Sequence, residues 1–221
     1  MNELERIKII DNYINKGVKF INPYSNYIDE SVEIDNDVTI GMNNIICGKT
    51  IISKGVNIGS NCEIKDSLIG EESIIKQSCI FDSVIGKKTT IGPFSHLRDG
   101  CVIGDKCRIG NYVEIKKSSI GNNTKCAHLT YIGDCICGEN VNFGCGVVTC
   151  NYDGKNKLQT KIFDNVFIGS NVNLIAPISI GNNSFIAAGT TVTKDVNDNE
   201  FVIGRVRQSN TKRPHISWIY K

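Results

Sequence analysis

The chain has 221 residues, a formal net charge of +2 and 22% charged residues. That length suits one domain, and the basic residues are scattered, with no stripe of the kind that tracks a nucleic-acid backbone. No uninterrupted apolar run is long enough to span a bilayer, and the N-terminus, MNELERIK, is charged and lacks an apolar signal region. A soluble, cytoplasmic protein that binds neither nucleic acid nor membrane is therefore expected.

Leu4, Ile7, Ile10 and Ile14 fall on one side of a helix predicted over 3–15, with Gly17 as its stop. Asn22-Pro23 marks a turn. From about Tyr27 to Val196 the aliphatic residues recur every six positions. One run is Ile40, Ile46, Ile52, Ile58, Ile64; another is Ile85, Ile91, Leu97, Ile103, Ile109, Ile115; a later one is Ile168, Leu174, Ile180, Ile186, Val192. A helix has period 3.6 and a half-buried strand period two, so a sustained period of six predicts a hexapeptide-repeat parallel β-helix, an all-β solenoid.

In such a rung the aliphatic side chain points inward, and a small residue four positions later also tends inward. Three hexads close a triangular coil of about eighteen residues, and coils stack at the strand spacing of roughly 4.8 Å. The register slips by one residue between Ile64 and Ile69, between Ile115 and Ile120, and between Ile132 and Cys137. The glycines mostly follow the inward aliphatic, where a corner is expected to need a permissive backbone. The pattern breaks once, over 150–165, in the polar excursion CNYDGKNKLQTKIFDN. Such a loop on a rigid prism is a natural place for function. A tail from Asn197 carries Arg205, Arg207, Lys212 and Arg213 and is expected to cap or cross the last coil.

Ten cysteines raise the question of disulfides or metal. Cys62, Cys79, Cys101 and Cys107 stand in the small-residue phase, and Cys126 and Cys137 in the aliphatic phase, as small buried hydrophobes do. There is no C-x-x-C pair. A zinc site of the type found in some β-helical carbonic anhydrases needs three converging histidines, and His96, His128 and His215 are too dispersed. No metal is expected.

Few residues remain that carry chemistry. His128, in CAHLTYIGD beside the excursion, reads as a surface histidine or as a general base for amine acylation. Arg98 and Lys116 lie eighteen residues apart in matching phase and stack on one face. They are solvated charges balanced by Asp99 or Glu114, or a phosphate clamp with a planar fork and a point charge. Tyr131, Asn142, Asn151 and Tyr152 are ordinary turn residues, or groups that hold a sugar ring or a pantetheine arm.

At these residues a family resemblance emerges. GPFSHLRDG (92–100), IGNYVEIKKSSIG (109–121), CAHLTYIGD (126–134), NFGCGVVTCNYDGKNK (142–157), VFIGSN (166–171), IAPISIG (175–181) and AAGTTVTKDV (187–196) resemble, in order and spacing, the C-terminal acetyltransferase domain of the bifunctional N-acetylglucosamine-1-phosphate uridylyltransferase / glucosamine-1-phosphate N-acetyltransferase family. The likeness covers roughly 20–208. It implies a left-handed prism and trimers with sites where prisms meet. It divides the chain into a helical arm (1–20), a β-helix acyltransferase domain (21–196) and a tail (197–221). By resemblance His128 is the general base. Arg98, Lys116, Tyr131 and Asn142 hold the sugar phosphate, and Lys157 is a loop lysine near the phosphate. Asn151 and Tyr152 sit at the junction with acetyl-coenzyme A, and Ser170, Ala188 and Arg205 contact coenzyme A. Cys145 replaces a small residue near the acetyl group. Other departures are Asp99 for a proline, Cys126-Ala127 for an alanine-glycine pair, and Gly204 and Arg207. No segment matches the family's nucleotidyltransferase half, so uridylyl transfer and its magnesium are not expected. The expected reaction is acetyl transfer from acetyl-coenzyme A to the 2-amine of glucosamine 1-phosphate. Two rivals are the same chemistry on a nucleotide-linked amino sugar, and a non-catalytic scaffold.

Overall fold

The computed structural model describes residues 2–212. Arg213 and His215 lie outside them. Helix α1 spans Glu3–Asn15. Its first turn closes in a capping box: the Asn2 side chain accepts from the Glu5 N–H, and the Glu5 carboxylate accepts from the Asn2 N–H. The helix buries Ile10 and Tyr13 against the start of the solenoid, and the Tyr13 hydroxyl donates to the Val32 carbonyl. This covers a rung end that would otherwise be an open edge.

Among the described residues, thirty strands of two to four residues wind into three parallel sheets of 11, 10 and 9 strands. The chain visits the three faces in turn, beginning with Lys19–Phe20 on the first, Tyr27–Ile28 on the second and Glu33–Ile34 on the third. Strands on each face pair with those one coil before and after, for example Ile91 with Ile109 and Leu97 with Ile115. The six-residue aliphatic positions, Ile40 through Ile186, fill the axis of the prism and are almost wholly buried. Four residues later, the second inward position carries Thr50, Ser73, Thr89, Ser95, Thr124 and Thr130, among others. Their hydroxyls bridge coils: Thr89 Oγ1 donates to the Gly104 carbonyl at 2.8 Å and accepts from the Cys107 N–H at 3.0 Å. The small-residue phase of the sequence is thus a hydrogen-bonding position as well as a steric one.

Three sequence expectations are corrected. Two further five-residue steps occur, from Ile75 to Ile80 and from Ile80 to Ile85, with Ser78 and Ser83 in the small slots. Cys79 therefore sits beside the inward Ile80 on a strand, half-buried, outside the small slot it was expected to fill. Apart from Gly92, whose φ is +90°, the glycines that follow the inward aliphatic are needed for close approach, not for a left-handed backbone. A Cβ on Gly86 would lie 2.6 Å from the Gly104 carbonyl carbon of the next coil. The left-handed corner positions are filled mostly by other residues, Asp37, Asn61, Lys88, Lys106 and Asn123 among them. The polar excursion is also shorter than its composition suggests, because Thr160–Ile162 already pairs with Cys135–Cys137 and with Ile178–Ile180 on the third face.

The close approach at Gly86 carries a prediction. Gly86→Ala forces two coils apart at a rigid point, which costs about 1–3 kcal/mol and lowers the Tm by roughly 2–12 °C. Calorimetry of the variant measures it, and an unchanged Tm would remove the packing argument.

Among the described residues no helix is long and apolar enough to cross a membrane, and no group of three or more His, Cys, Asp or Glu is placed to hold a metal ion. Cys62, Cys101, Cys107, Cys126, Cys135 and Cys137 are buried. Burial pushes the Cys126 and Cys135 thiols up to about 12, so they remain protonated packing groups.

Candidate active site

The corner between the first and second faces is built from the residues two positions after each inward residue of the first face. Ile109, Cys126, Phe143, Ile168 and Ile186 pair in register from coil to coil. The residues two further on, Asn111, His128, Cys145, Ser170 and Ala188, consequently form one column along the prism. His128, Ser170 and Ala188 are exposed and Cys145 is half-buried. Backbone bonds tie the column together: Gly146 N–H donates to the His128 carbonyl at 3.4 Å, and Gly189 N–H to the Ser170 carbonyl at 2.8 Å. Arg205 reaches back from the last turn, its Nη1 donating to the Ala188 carbonyl at 2.8 Å. His128 Nδ1 lies 2.9 Å from Asn111 Oδ1, which leaves Nε2 as the outer nitrogen.

The second face holds the cations. Arg98 pairs in register with Lys116, and Lys116 with Gly133. Arg98 donates from Nε and Nη2 to Glu114 Oε1 at 3.1 and 2.6 Å, and from Nη1 to Asp99 Oδ2 at 3.0 Å. Lys116 Nζ lies 3.7 Å from the same Asp99 oxygen. Two stacked cations thus share one carboxylate, which offsets their repulsion. The hydrogen bond to Glu114, with the charges of Glu114 and Asp99, holds the Arg98 guanidinium above its ordinary pKa and fully charged. Both balancing carboxylates suggested by the sequence are present, and both cations are only partly buried, so an anion can compete for them.

Above Lys116 the column stops at Gly133, where a Cβ would collide with the Tyr131 hydroxyl and the Asn151 amide. The missing side chain is what brings Tyr131 and Asn151 together over the cations. Asn151 is buried and donates from Nδ2 to Asp134 Oδ2 at 2.6 Å. The excursion is a small hairpin in which Tyr152 bridges to Lys157. Lys157 Nζ stands 4.2 Å from the Tyr152 ring centroid, and the Tyr152 hydroxyl donates to the Gly154 carbonyl. Asp153 accepts from the Lys155 and Asn156 N–H groups, which hold its carboxyl below the usual range.

Asn142 stands apart. It opens the strand Asn142–Phe143 on the first face, whereas Arg98 and Lys116 are on the second. One chain therefore groups His128 with Cys145, Ser170, Ala188 and Arg205, and Arg98 with Lys116, Tyr131 and Asn151, but not Asn142 with the cations. Sequence reasoning missed Asn111 as a neighbour of His128. The five-residue step from Ile115 to Ile120 shortens that coil to seventeen residues, and counting it places Asn111 opposite His128.

Residues 25–111 match the GMPPB C-terminal domain family, and residues 159–194 the bacterial transferase hexapeptide (six repeats) family. The bifunctional protein GlmU of Halalkalibacterium halodurans is 48% identical over 203 residues, 92% of this chain and 45% of that protein. Over most of its length the chain is thus homologous to the C-terminal part of GlmU proteins. The bifunctional protein GlmU of Acholeplasma laidlawii is 55% identical over 206 residues, 91% of this chain and 45% of that protein. The chain thus spans less than half the length of the curated relatives it matches. The solved structure of LpxA from Acinetobacter baumannii is 20% identical and covers 78% of this chain and 66% of that one, with a TM-score of 0.52. That likeness shows the fold, a left-handed parallel β-helix. The hand opposes the general preference for right-handed β crossovers, and here the resemblance anticipated it where periodicity did not.

Proposed function

We propose that this chain transfers the acetyl group of acetyl-coenzyme A to the 2-amine of glucosamine 1-phosphate. The observation that carries the reading is that the corner column containing His128 borders the face that carries Arg98 and Lys116. Along the corner, His128, Cys145, Ser170 and Ala188 run for three coil steps, about 14 Å at the strand spacing. That is a track for an extended pantetheine arm, with Arg205 at its far end. On the adjoining face Arg98 and Lys116 offer a fork and a point charge to a phosphate, beside Tyr131 and Asn151. Tyr152 and Lys157 stand on the hairpin that follows the same face.

In this reading His128 Nε2 accepts a proton from the acceptor ammonium. The freed amine attacks the thioester carbon, and backbone N–H groups around Cys145 stabilise the oxyanion. The intermediate loses the extra proton on its nitrogen to solvent and collapses, the carbon–sulfur bond breaks, and the imidazolium returns its proton to the coenzyme A thiolate. Much of the rate comes from orientation, because both reactants are held at one corner. No step needs a metal. Asn142 belongs to the same site only if a second copy brings its first face against this second face, so the site is read as completed between protomers of a homotrimer.

The test is coenzyme A release, followed by chromatography because ten native cysteines would react with a thiol dye. Glucosamine 1-phosphate, glucosamine 6-phosphate and a UDP-linked amino sugar are compared. Release with glucosamine 1-phosphate alone is expected. Release only with the nucleotide sugar would move the reaction to the rival acceptor, since that sugar also presents a phosphate at C1. No release with any of them would favour the scaffold.

A further inference from the structure

The pairing between Arg108–Asn111 and Lys125–His128 is unlike the rest of the solenoid. These two strands have four residues where the others have two or three, and the pairing runs into the corner as far as Asn111 and His128. The approach there is tight: a Cβ on Gly110 would overlap the Ala127 backbone. Asn111 is held on both sides. Its carbonyl accepts from the Leu129 N–H at 3.0 Å, and the next residue, Tyr112, donates its N–H to the Phe94 carbonyl at 3.1 Å and stacks on the Phe94 ring at 5.3 Å. The Asn111 amide is therefore presented to His128 by a rigid frame, and its Oδ1 stands 2.9 Å from Nδ1.

We propose that Asn111 is a positioning residue, which fixes His128 in the tautomer protonated at Nδ1. This rests on the reading of His128 as the base. With Oδ1 facing Nδ1, that nitrogen donates, and the lone pair lies on Nε2, toward the acceptor. An exposed imidazole without such a partner populates the other tautomer, whose Nε2 already carries a proton and cannot accept one. Enzymes often orient a catalytic histidine with a carboxylate, which also stabilises the imidazolium. Asn111 orients the ring without adding a charge beside it.

The experiment is long-range proton–nitrogen correlation NMR of the full chain with 15N-labelled histidine. The chain has only three histidines, and the signals lost in His128→Ala assign the ring. The native protein is expected to show the Nδ1–H form. Asn111→Leu should lose it, and Asn111→Asp, which still accepts, should keep it. In steady state Asn111→Leu should lower kcat roughly tenfold to a hundredfold, less than loss of the base itself, with both KM values unchanged. A native ring protonated at Nε2, or one tautomer common to all three proteins, would overturn the proposal. So would a rise in KM with kcat intact. The spectrum reads the tautomer whether or not His128 is the base, so failure of the reading of His128 as the base shows separately, as an active His128→Ala. A melting curve checks that Asn111→Leu is folded, and Asn111→Asp supplies the comparison if it is not.

Discussion

His128→Ala is expected to reduce kcat about a hundred- to ten-thousand-fold, the range for loss of a general base, while both KM values stay near native. The side chain is exposed at the end of its strand, so the variant should melt like the native protein. Residual turnover above background should persist, because the backbone groups around Cys145 and the alignment of the two substrates do not depend on the imidazole. Coenzyme A release at saturating concentrations of both substrates measures the effect. Turnover close to native would place the base elsewhere and leave the exposed histidine without a task.

Arg98→Ala should act on the acceptor and not on the thioester. Hydrogen bonds to a charged group contribute about 1.5–3 kcal/mol, which corresponds to a rise of about 10- to 150-fold in KM for glucosamine 1-phosphate. KM for acetyl-coenzyme A should not change, because Cys145, Ser170 and Ala188 lie along the corner and not on the second face with Arg98. The variant also removes the guanidinium that faces Glu114 and Asp99, leaving Lys116 alone with both carboxylates. That local negative charge should further repel the phosphate. Arg98→Lys should recover only part of the loss, since a lysine lacks the planar fork. An unchanged acceptor KM in Arg98→Ala would remove the clamp from the mechanism and leave the pair as balanced surface charge.

The sequence alone determined the architecture, because a period of six admits few other structures. Each aliphatic residue in the six-residue phase from Ile40 to Ile186 had only one direction to point, and the three faces followed. It also singled out His128, and the stacking of Arg98 on Lys116 could be counted as one coil. It misjudged the glycines, since close approach of Gly86 to the next coil depends on where that coil lies. It missed the steps at Ile80 and Ile85 because isoleucine also stands next to the inward position, at Ile74, and valine at Val84, which blurs the phase. Only the tertiary structure decided which candidates meet. Neighbours across coils depend on the summed length of every turn between them, and one omitted residue moves a side chain to a different partner. The seventeen-residue coil set Asn111 against His128, Gly133 opened the space that joins Tyr131 to Asn151, and the turn of the prism put Asn142 on another face from the cations.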